Sequence, residues 1–337
     1  MPECICDHQL MPSRRIEWAV AGTLAGWAAA RLASADRLRF SESLVVPLLS
    51  FTPQAAAGAW ASAFLLRGKG PATVSALAGA AMTAAVAPRA IRSRQPAAAG
   101  PALRLLTANL LGGRATAEAL VDLASRKQAD VVFVQELTDG AADRLKRAGL
   151  TDLLPHTVRP VTAPGRLGTG IYSRYRISAE LSPDLNTVPP GSRPLSAARS
   201  IVQLDLPSGQ SVRLACIHTQ PPKPPWLPAA TARWRDQQSA LPAPGDAPVI
   251  LAGDFNATLD HAPFRRILDL GYADAASQTG RGLVMTWGPR PHRWPALLAI
   301  DHVLVDRRCA VLATSAHLLP GSDHRAVYAE IRLPAPE

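Results

Sequence analysis

Hydrophobic and polar positions divide this chain at Pro101. Before it, apolar segments recur without a polar stripe: Trp18 to Ala30, bracketed by Glu17 and Arg31; Leu44 to Leu66, free of charge; and Gly70 to Pro88, uncharged and rich in Ala and Gly. A helix needs about 20 apolar residues to span a bilayer. The second segment exceeds that length. The third is a small-residue run of the kind that packs against neighbouring helices, and the first spans if Arg31 snorkels to an interface. This predicts an N-terminal tail over 1–15 and about three transmembrane helices over 16–91. A soluble Ala-rich domain would carry a polar face, and a cleavable signal would be a single apolar segment. From Arg92 to Pro101 the chain is basic, then Ala/Pro/Gly-rich, and reads as a linker over 92–101.

From 102 to 337 the pattern changes to short apolar runs that end in polar residues. Leu103 to Asn109 is the first. Val131 to Val134 are four consecutive apolar residues, as in a strand buried on both faces, and Gln135 and Glu136 close it. Thr138 caps a predicted helix running to about Ala148, after an earlier helix marked by Leu120, Leu123 and Ala124. Strands are predicted over 168–175, 177–181, 199–206 and 212–218, the last two joined as a hairpin by the turn at 207–209. A helix over 229–239 leads to the strand ending in Asp254, and another over 263–268 precedes the strand 299–305. Gly321 to Val327 opens the last strand.

Composition adds little beyond class. The formal net charge is +10, split about evenly at Pro101, so neither part is basic enough to announce nucleic acid. The arginines do not decide membrane orientation either. Arg14, Arg15, Arg67 and Lys69 compete with Arg31, Arg37, Arg39, Arg89, Arg92 and Arg94 for the inner side. Cys4 and Cys6 lie with His8 in the polar tail, while Cys216 and Cys309 fall in apolar runs and read as buried small hydrophobes. No disulfide framework is indicated.

The chemistry is concentrated in Gly253-Asp254-Phe255-Asn256. In extended backbone Asp254 and Asn256 point the same way while Phe255 turns to the core. An anionic acceptor thus lies beside a carboxamide at the mouth of a sheet, which suits orienting a water against phosphorus or a carbonyl. Polar residues accumulate at the other strand ends in order: Asn109, Glu136, His218, Asp301, then Asp323 with His324.

The stretches TANL, VQEL, IHT, GDFN, IDHV and SDHRAV, spread over 103–332, resemble the endonuclease/exonuclease/phosphatase superfamily, which includes DNase I-like nucleases, inositol polyphosphate phosphatases and sphingomyelinases. The resemblance implies an α/β fold, a four-layer α-β-β-α sandwich of two packed mixed sheets flanked by helices. It also implies cleavage of a phosphate ester by an in-line water with Mg²⁺, or Mn²⁺ or Ca²⁺ in its place. On this pattern Asn109, Glu136 and Asp323 hold the metal through the hard oxygens Mg²⁺ prefers. Asp254 orients or deprotonates the water and Asn256 fixes the phosphate. His324, supported by Asp301, and His218 face the phosphoryl group. Arg199 at a strand start is either a phosphate contact or an edge charge. His302 should face away from Asp301 and read as structural; His156, His261, His292 and His317 read as surface or loop residues. The nucleases of this family pair the His218-type imidazole with a further acidic residue, and Gly168-Thr169-Gly170 offers none.

The N-terminal helices resemble the membrane-anchored branch that includes teicoplanin-resistance proteins. That implies a multi-pass cell-membrane protein with its catalytic domain outside the cell, acting on undecaprenyl-type carriers or envelope precursors. Trp226, Trp287 and Trp294 are candidates to meet the bilayer interface, where Trp is favoured. A nuclease acting on extracytoplasmic nucleic acid and a catalytically inactive binding protein are the alternatives, and no protein partner is indicated.

Overall fold

The computed structural model describes residues 11–38, 42–159, 167–180, 198–223, 226–289 and 295–336. Cys4, Cys6, His8, His292, Trp294 and the side chain of Arg199 lie outside the described part. The chain forms two compact units, Met1–Pro88 and Arg89–Glu337.

The first unit is helical: α1 (Met11–Leu32), α2 (Glu42–Leu49), α3 (Thr52–Leu65) and α4 (Lys69–Val86). The apolar run 44–66, expected as one span, is instead two helices bent by 71° at the break between them. Pro53 explains the break, since its ring has no N–H and clashes with the carbonyl four residues back, at Leu49. Pro53 then sits comfortably in the first turn of α3. One helical run, Lys69–Ala90, is long and apolar enough to cross a membrane, and the bent pair would make a second if taken as one span. The helices pack mostly through alanines, with Ala28, Ala56, Ala59 and Ala78 buried around the larger Met82. Large apolar side chains face outward instead: Phe64 is 89% exposed, Leu65 71% and Leu77 67%.

The second unit is built on two six-stranded sheets. The first contains β1 (Ala102–Asn109), β2 (Val131–Leu137), β3 (His156–Val158), β4 (Gly168–Ser173), β11 (Ala310–Leu318) and β12 (Arg325–Arg332), in the order β11-β12-β1-β2-β4-β3. The second contains β5 (Ile177–Glu180), β6 (Ala198–Asp205), β7 (Ser211–His218), β8 (Val249–Asp254), β9 (Tyr272–Asp274) and β10 (Asp301–Asp306), in the order β5-β6-β7-β8-β10-β9. Each sheet is mixed: β1 and β2 run parallel, as do β7 and β8, and the other pairs are antiparallel.

Strand alternation separates the layers. Leu105, Phe133 and Ile171 of the first sheet meet Val202, Leu214, Ile250 and Val303 of the second in a central core. Leu106, Val132 and Val134 point the other way, onto Leu120, Leu123 and Ala124 of α5 (Ala117–Arg126) and Ala141 and Leu145 of α6 (Asp139–Arg147). Thr138 caps α6 by accepting from the Ala141 N–H. Beside the second sheet lie α7 (Pro228–Ser239) and α8 (Ala262–Asp269), where Phe255 meets Phe264 edge-on at 5.3 Å between centroids. Cys216 and Cys309 are buried free thiols, as expected. Burial pushes the Cys216 thiol up to about 12.

The stretch 92–101, expected as a linker, is hydrogen-bonded along this unit. The Ser93 N–H donates to Gln278 O, the Gln95 carboxamide accepts from the Val311 N–H at 2.7 Å, and the Gly100 N–H donates to Leu333 O. Immediately before it, Arg89 makes a two-pronged ion pair with Asp260, at 2.8 and 2.5 Å, with both side chains buried.

Candidate active site

Register brings the polar strand ends together. In the second sheet, His218 pairs with Asp254 and Asp254 with Asp301, so three neighbouring strands present these side chains in a row. In the first sheet, Asn109 pairs with Gln135. Simple alternation would send Glu136 to the helix side with Val132 and Val134. A register shift between Gln135 and Leu137, with Glu136 at φ 53°, turns the carboxylate into the site instead. Such bulges re-aim side chains beside active sites. Gly253 has φ +148°, and a Cβ there would lie 1.9 Å from the carbonyl oxygen of Ile217. Only glycine lets β8 lie this close to β7 just before Asp254.

Asp254 is the centre of the cluster and almost fully buried. Its Oδ1 accepts from the Asn256 N–H at 2.8 Å; its Oδ2 accepts from the amides of Asn109 at 3.0 Å and Asn256 at 3.2 Å. Asn256, held at φ 46°, also donates to Thr219 O at 2.8 Å. Asn109 donates to Glu136 Oε1 at 3.3 Å, and its own oxygen accepts from the Leu111 N–H at 2.9 Å. Glu136 Oε2 accepts from the Gly112 N–H at 2.6 Å.

Two imidazoles face this acid. His218 Nε2 is 3.7 Å from Glu136 Oε1 and 3.8 Å from Asp254 Oδ2. His324 Nδ1 lies 2.9 Å from Asp301 Oδ2, and its Nε2 is 3.8 Å from both Asp254 Oδ2 and Asp323 Oδ1. Within the first sheet, the Ser322 hydroxyl ties the end of β1 to the turn that leads into β12, donating to Asn109 O at 2.7 Å and accepting from the His324 N–H at 3.0 Å.

Charge follows from this geometry. Burial raises Asp254 to about 6 despite the opposing His324 imidazole nearby. Burial opposes the His324 cation, but Asp301 and Asp254 outweigh it and push His324 up to about 10. His324 is therefore an imidazolium at neutral pH, with one N–H given to Asp301 and the other aimed between Asp254 and Asp323.

Two donor sets bear on a metal. Asp254, Asp301 and His324 offer ligand atoms within 4.8 Å of one another. His324 gives its Nδ1 side to Asp301, so only Nε2 could ligate, and it would have to give up the proton that Asp301 and Asp254 favour there. The other set is Glu136 with Asp323. Asp323 Oδ1 is buried without a hydrogen-bond partner, the kind of bare carboxylate oxygen that a hard cation satisfies.

Every strand-end residue expected in the site whose side chain is described is in this cluster: Asn109, Glu136, His218, Asp254, Asn256, Asp301, Asp323 and His324. Arg199 is on β6 opposite Ile217. His302 faces away from the site, bonded to Asp274 at 2.9 Å and to Ala257 O at 2.9 Å. His156 is exposed, and His317 is half-buried beside the Ser315 hydroxyl.

His261, expected as a surface or loop residue, lies in the loop before the helix Ala262–Asp269 but is fully buried. Its Nδ1 accepts from the Thr258 N–H at 3.0 Å, closing the turn before α8, and its ring meets Trp234 edge-on. Trp226 is 78% exposed. Trp287, expected at a bilayer interface, is half-buried, and its indole donates to Asp323 Oδ2 at 3.0 Å. Ser322 and Trp287 were missed as site residues. Adjacency to Asp323 was the only available signal for Ser322, and Trp287 had none.

The family model described as the endonuclease/exonuclease/phosphatase family matches residues 106–324. No curated protein matches this chain. Among solved structures, an endonuclease/exonuclease/phosphatase from Beutenbergia cavernae is similar at 19% identity and TM-score 0.51, covering 69% of this chain and 72% of its own. TDP2 from D. rerio, crystallised with a single-strand DNA product, is similar at 20% identity and TM-score 0.53, covering 68% of this chain and 98% of its own. A Bacteroides vulgatus member aligns at 15% identity and TM-score 0.51 over 69% of this chain and 99% of its own. These likenesses show the fold, and the family match runs from within β1 to His324 and takes in every residue of the polar cluster: the chain belongs to the endonuclease/exonuclease/phosphatase family.

Proposed function

We propose that this chain is a divalent-metal-dependent phosphoesterase that hydrolyses a phosphate ester or anhydride by in-line attack of water. The observation that carries it is the buried Asp254 carboxylate, set among two amides and two imidazoles, with Glu136 and the bare Asp323 oxygen at the rim. Glu136 and Asp323 would hold Mg²⁺, which when bound neutralises charge on the phosphoryl group. In this geometry Asn109 orients Glu136 and Asp254 through its amide, while its own oxygen accepts from the Leu111 N–H. Asp254 accepts the proton of the attacking water, and Asn256 keeps its carboxylate in place. His324, held cationic by Asp301, and His218 face the phosphoryl oxygens, supplying the positioning and electrostatic stabilisation that phosphoryl transfer demands.

For the substrate we propose a lipid-linked phosphate of the undecaprenyl type, with the catalytic unit outside a cell membrane in which the helical unit is embedded. The supports are the outward-facing Phe64, Leu65 and Leu77, the apolar run Lys69–Ala90 and the exposed Trp226. The test is a panel of lipid diphosphates, single-stranded DNA, sphingomyelin and inositol phosphates, assayed with the full chain in detergent, with Mg²⁺ and with EDTA. Mg²⁺-dependent phosphate release from the lipid diphosphate, lost in Asp254→Asn, is the expected result. DNA cleavage alone would make the chain a nuclease. No turnover on any ester, with Mn²⁺ binding unchanged in Glu136→Gln, would make it a binding protein.

A further inference from the structure

The segment 286–288 runs between the strand ends that carry Asp301 and Asp323 and ties both. Trp287 forms backbone bridges to Leu298 on one side and His324 on the other. The Gly288 N–H donates to Asp323 O at 3.2 Å, and the Arg325 N–H donates to Thr286 O at 2.7 Å. The Thr286 hydroxyl oxygen accepts from the N–H groups of Ile300 and Asp301, both at 3.1 Å. At Gly288 a Cβ would stand 2.9 Å from Pro295 O, so the splint passes here only as glycine.

From this splint the Trp287 indole turns inward onto Asp323 Oδ2 at 3.0 Å. An indole N–H is a donor with no acceptor capacity, so it fixes one carboxylate oxygen and competes for nothing else. The other oxygen, Oδ1, is left buried without a hydrogen bond; His324 Nε2 is within ion-pair range at 3.8 Å but too far to donate to it. A buried carboxylate oxygen with no hydrogen bond is costly, and a cation bound directly to it offsets that cost better than an imidazolium at 3.8 Å.

We propose that Trp287 is a positioning residue whose indole locks the Asp323 carboxylate in the orientation that presents Oδ1 to a divalent cation. It acts through Asp323 and touches neither metal nor substrate. The inference rests on Asp323 being a metal ligand, and it assigns the neighbouring tryptophan to the support of that ligand rather than to the bilayer.

The experiment is calorimetric titration of the EDTA-stripped full chain in detergent with Mn²⁺, comparing wild type with Trp287→Phe, which keeps most of the ring and removes the donor. The variant should bind Mn²⁺ about 10–100-fold more weakly, the usual consequence of losing a partner behind a ligand. Its thermal midpoint in EDTA should match wild type, a result that a merely structural role would not give. Should that variant not fold, wild type labelled with 5-fluorotryptophan serves instead. One fluorine signal should move on Mg²⁺ addition and stay still in Asp323→Asn. Equal Mn²⁺ affinity in wild type and Trp287→Phe, or no Mg²⁺-responsive fluorine signal, overturns the proposal and leaves the metal reading standing. A wild type that binds no Mn²⁺ overturns both.

Discussion

Asp274 and His302 form a buried pair directly behind the site, at 1% and 3% side-chain exposure. His302 Nε2 faces two carbonyl oxygens, Ala257 at 2.9 Å and Ala299 at 3.1 Å, which can only accept, so Nε2 carries a proton. Nδ1 faces the Asp274 carboxylate at 2.9 Å and carries the other. Burial works against the His302 cation, but the hydrogen bond and charge of Asp274 raise it above its ordinary value. Burial likewise works against the Asp274 anion, and His302 with the Ser277 N–H holds it below the usual carboxylate range.

Asp274→Asn leaves His302 either neutral, with one nitrogen facing carbonyls it cannot bond, or charged and unpaired. Breaking a buried pair on one side costs about 3–5 kcal/mol, which for a unit of this size is a fall of roughly 10 °C in melting temperature. The raised His302 contributes stability that is complete below its ordinary value of 6.5 and lost as pH climbs through the folded one. The lowered Asp274 contributes stability complete above 3.8 and lost as pH falls through its folded value. The difference between wild type and Asp274→Asn should therefore be greatest between these limits and shrink on either side. Tryptophan-fluorescence melts of the full chain in detergent, from acid to alkaline buffer, measure it. A pH-independent difference, or none near pH 5, would refute the buried imidazolium.

Asp254→Asn should reduce hydrolysis by about 10²–10⁴-fold, the range for losing a general base, with thermal stability preserved; an activity assay beside a melt separates the two. Because burial raises Asp254 to about 6, metal-free groups alone would make the rate climb as pH rises through that value, and a bound cation should move this limb to lower pH. Rate profiles in Mg²⁺ test that direction. Gly253→Ala forces a Cβ to within 1.9 Å of the Ile217 carbonyl oxygen, so the strands must part and stability should fall by at least about 3 kcal/mol, read as loss of soluble folded protein or a depressed melt. Arg89→Ala removes the two-pronged guanidinium partner of the fully buried Asp260 and should cost about 3–5 kcal/mol. By the same reasoning, a chain started at Ala102 should melt well below one started at Arg89.

The linear order of residues was enough to reveal the family and the strands that carry the polar cluster, but not β3, β9 or β11. These are local properties: apolar runs set the strands, and a side chain at a strand's last position must lie at the sheet edge. Chain order says nothing about which strand lies beside which. The parallel pairing of β7 with β8 and the antiparallel pairing with β10 are what align His218, Asp254 and Asp301.

Backbone irregularities were equally hidden. Period-two alternation points Glu136 at the helices, and only the bulge at φ 53° turns it inward. Pro53 was visible as a letter, but the uncharged run around it read as one helix until the 71° bend divided it. His261, Trp287 and Arg89 had no motif to announce them, because their roles come from partners distant in sequence: Trp234, Asp323 and Asp260. A sequence records what each side chain can do; close packing of two sheets and their connecting loops determines what it meets, and that contact made a surface-looking tryptophan the support of a buried carboxylate.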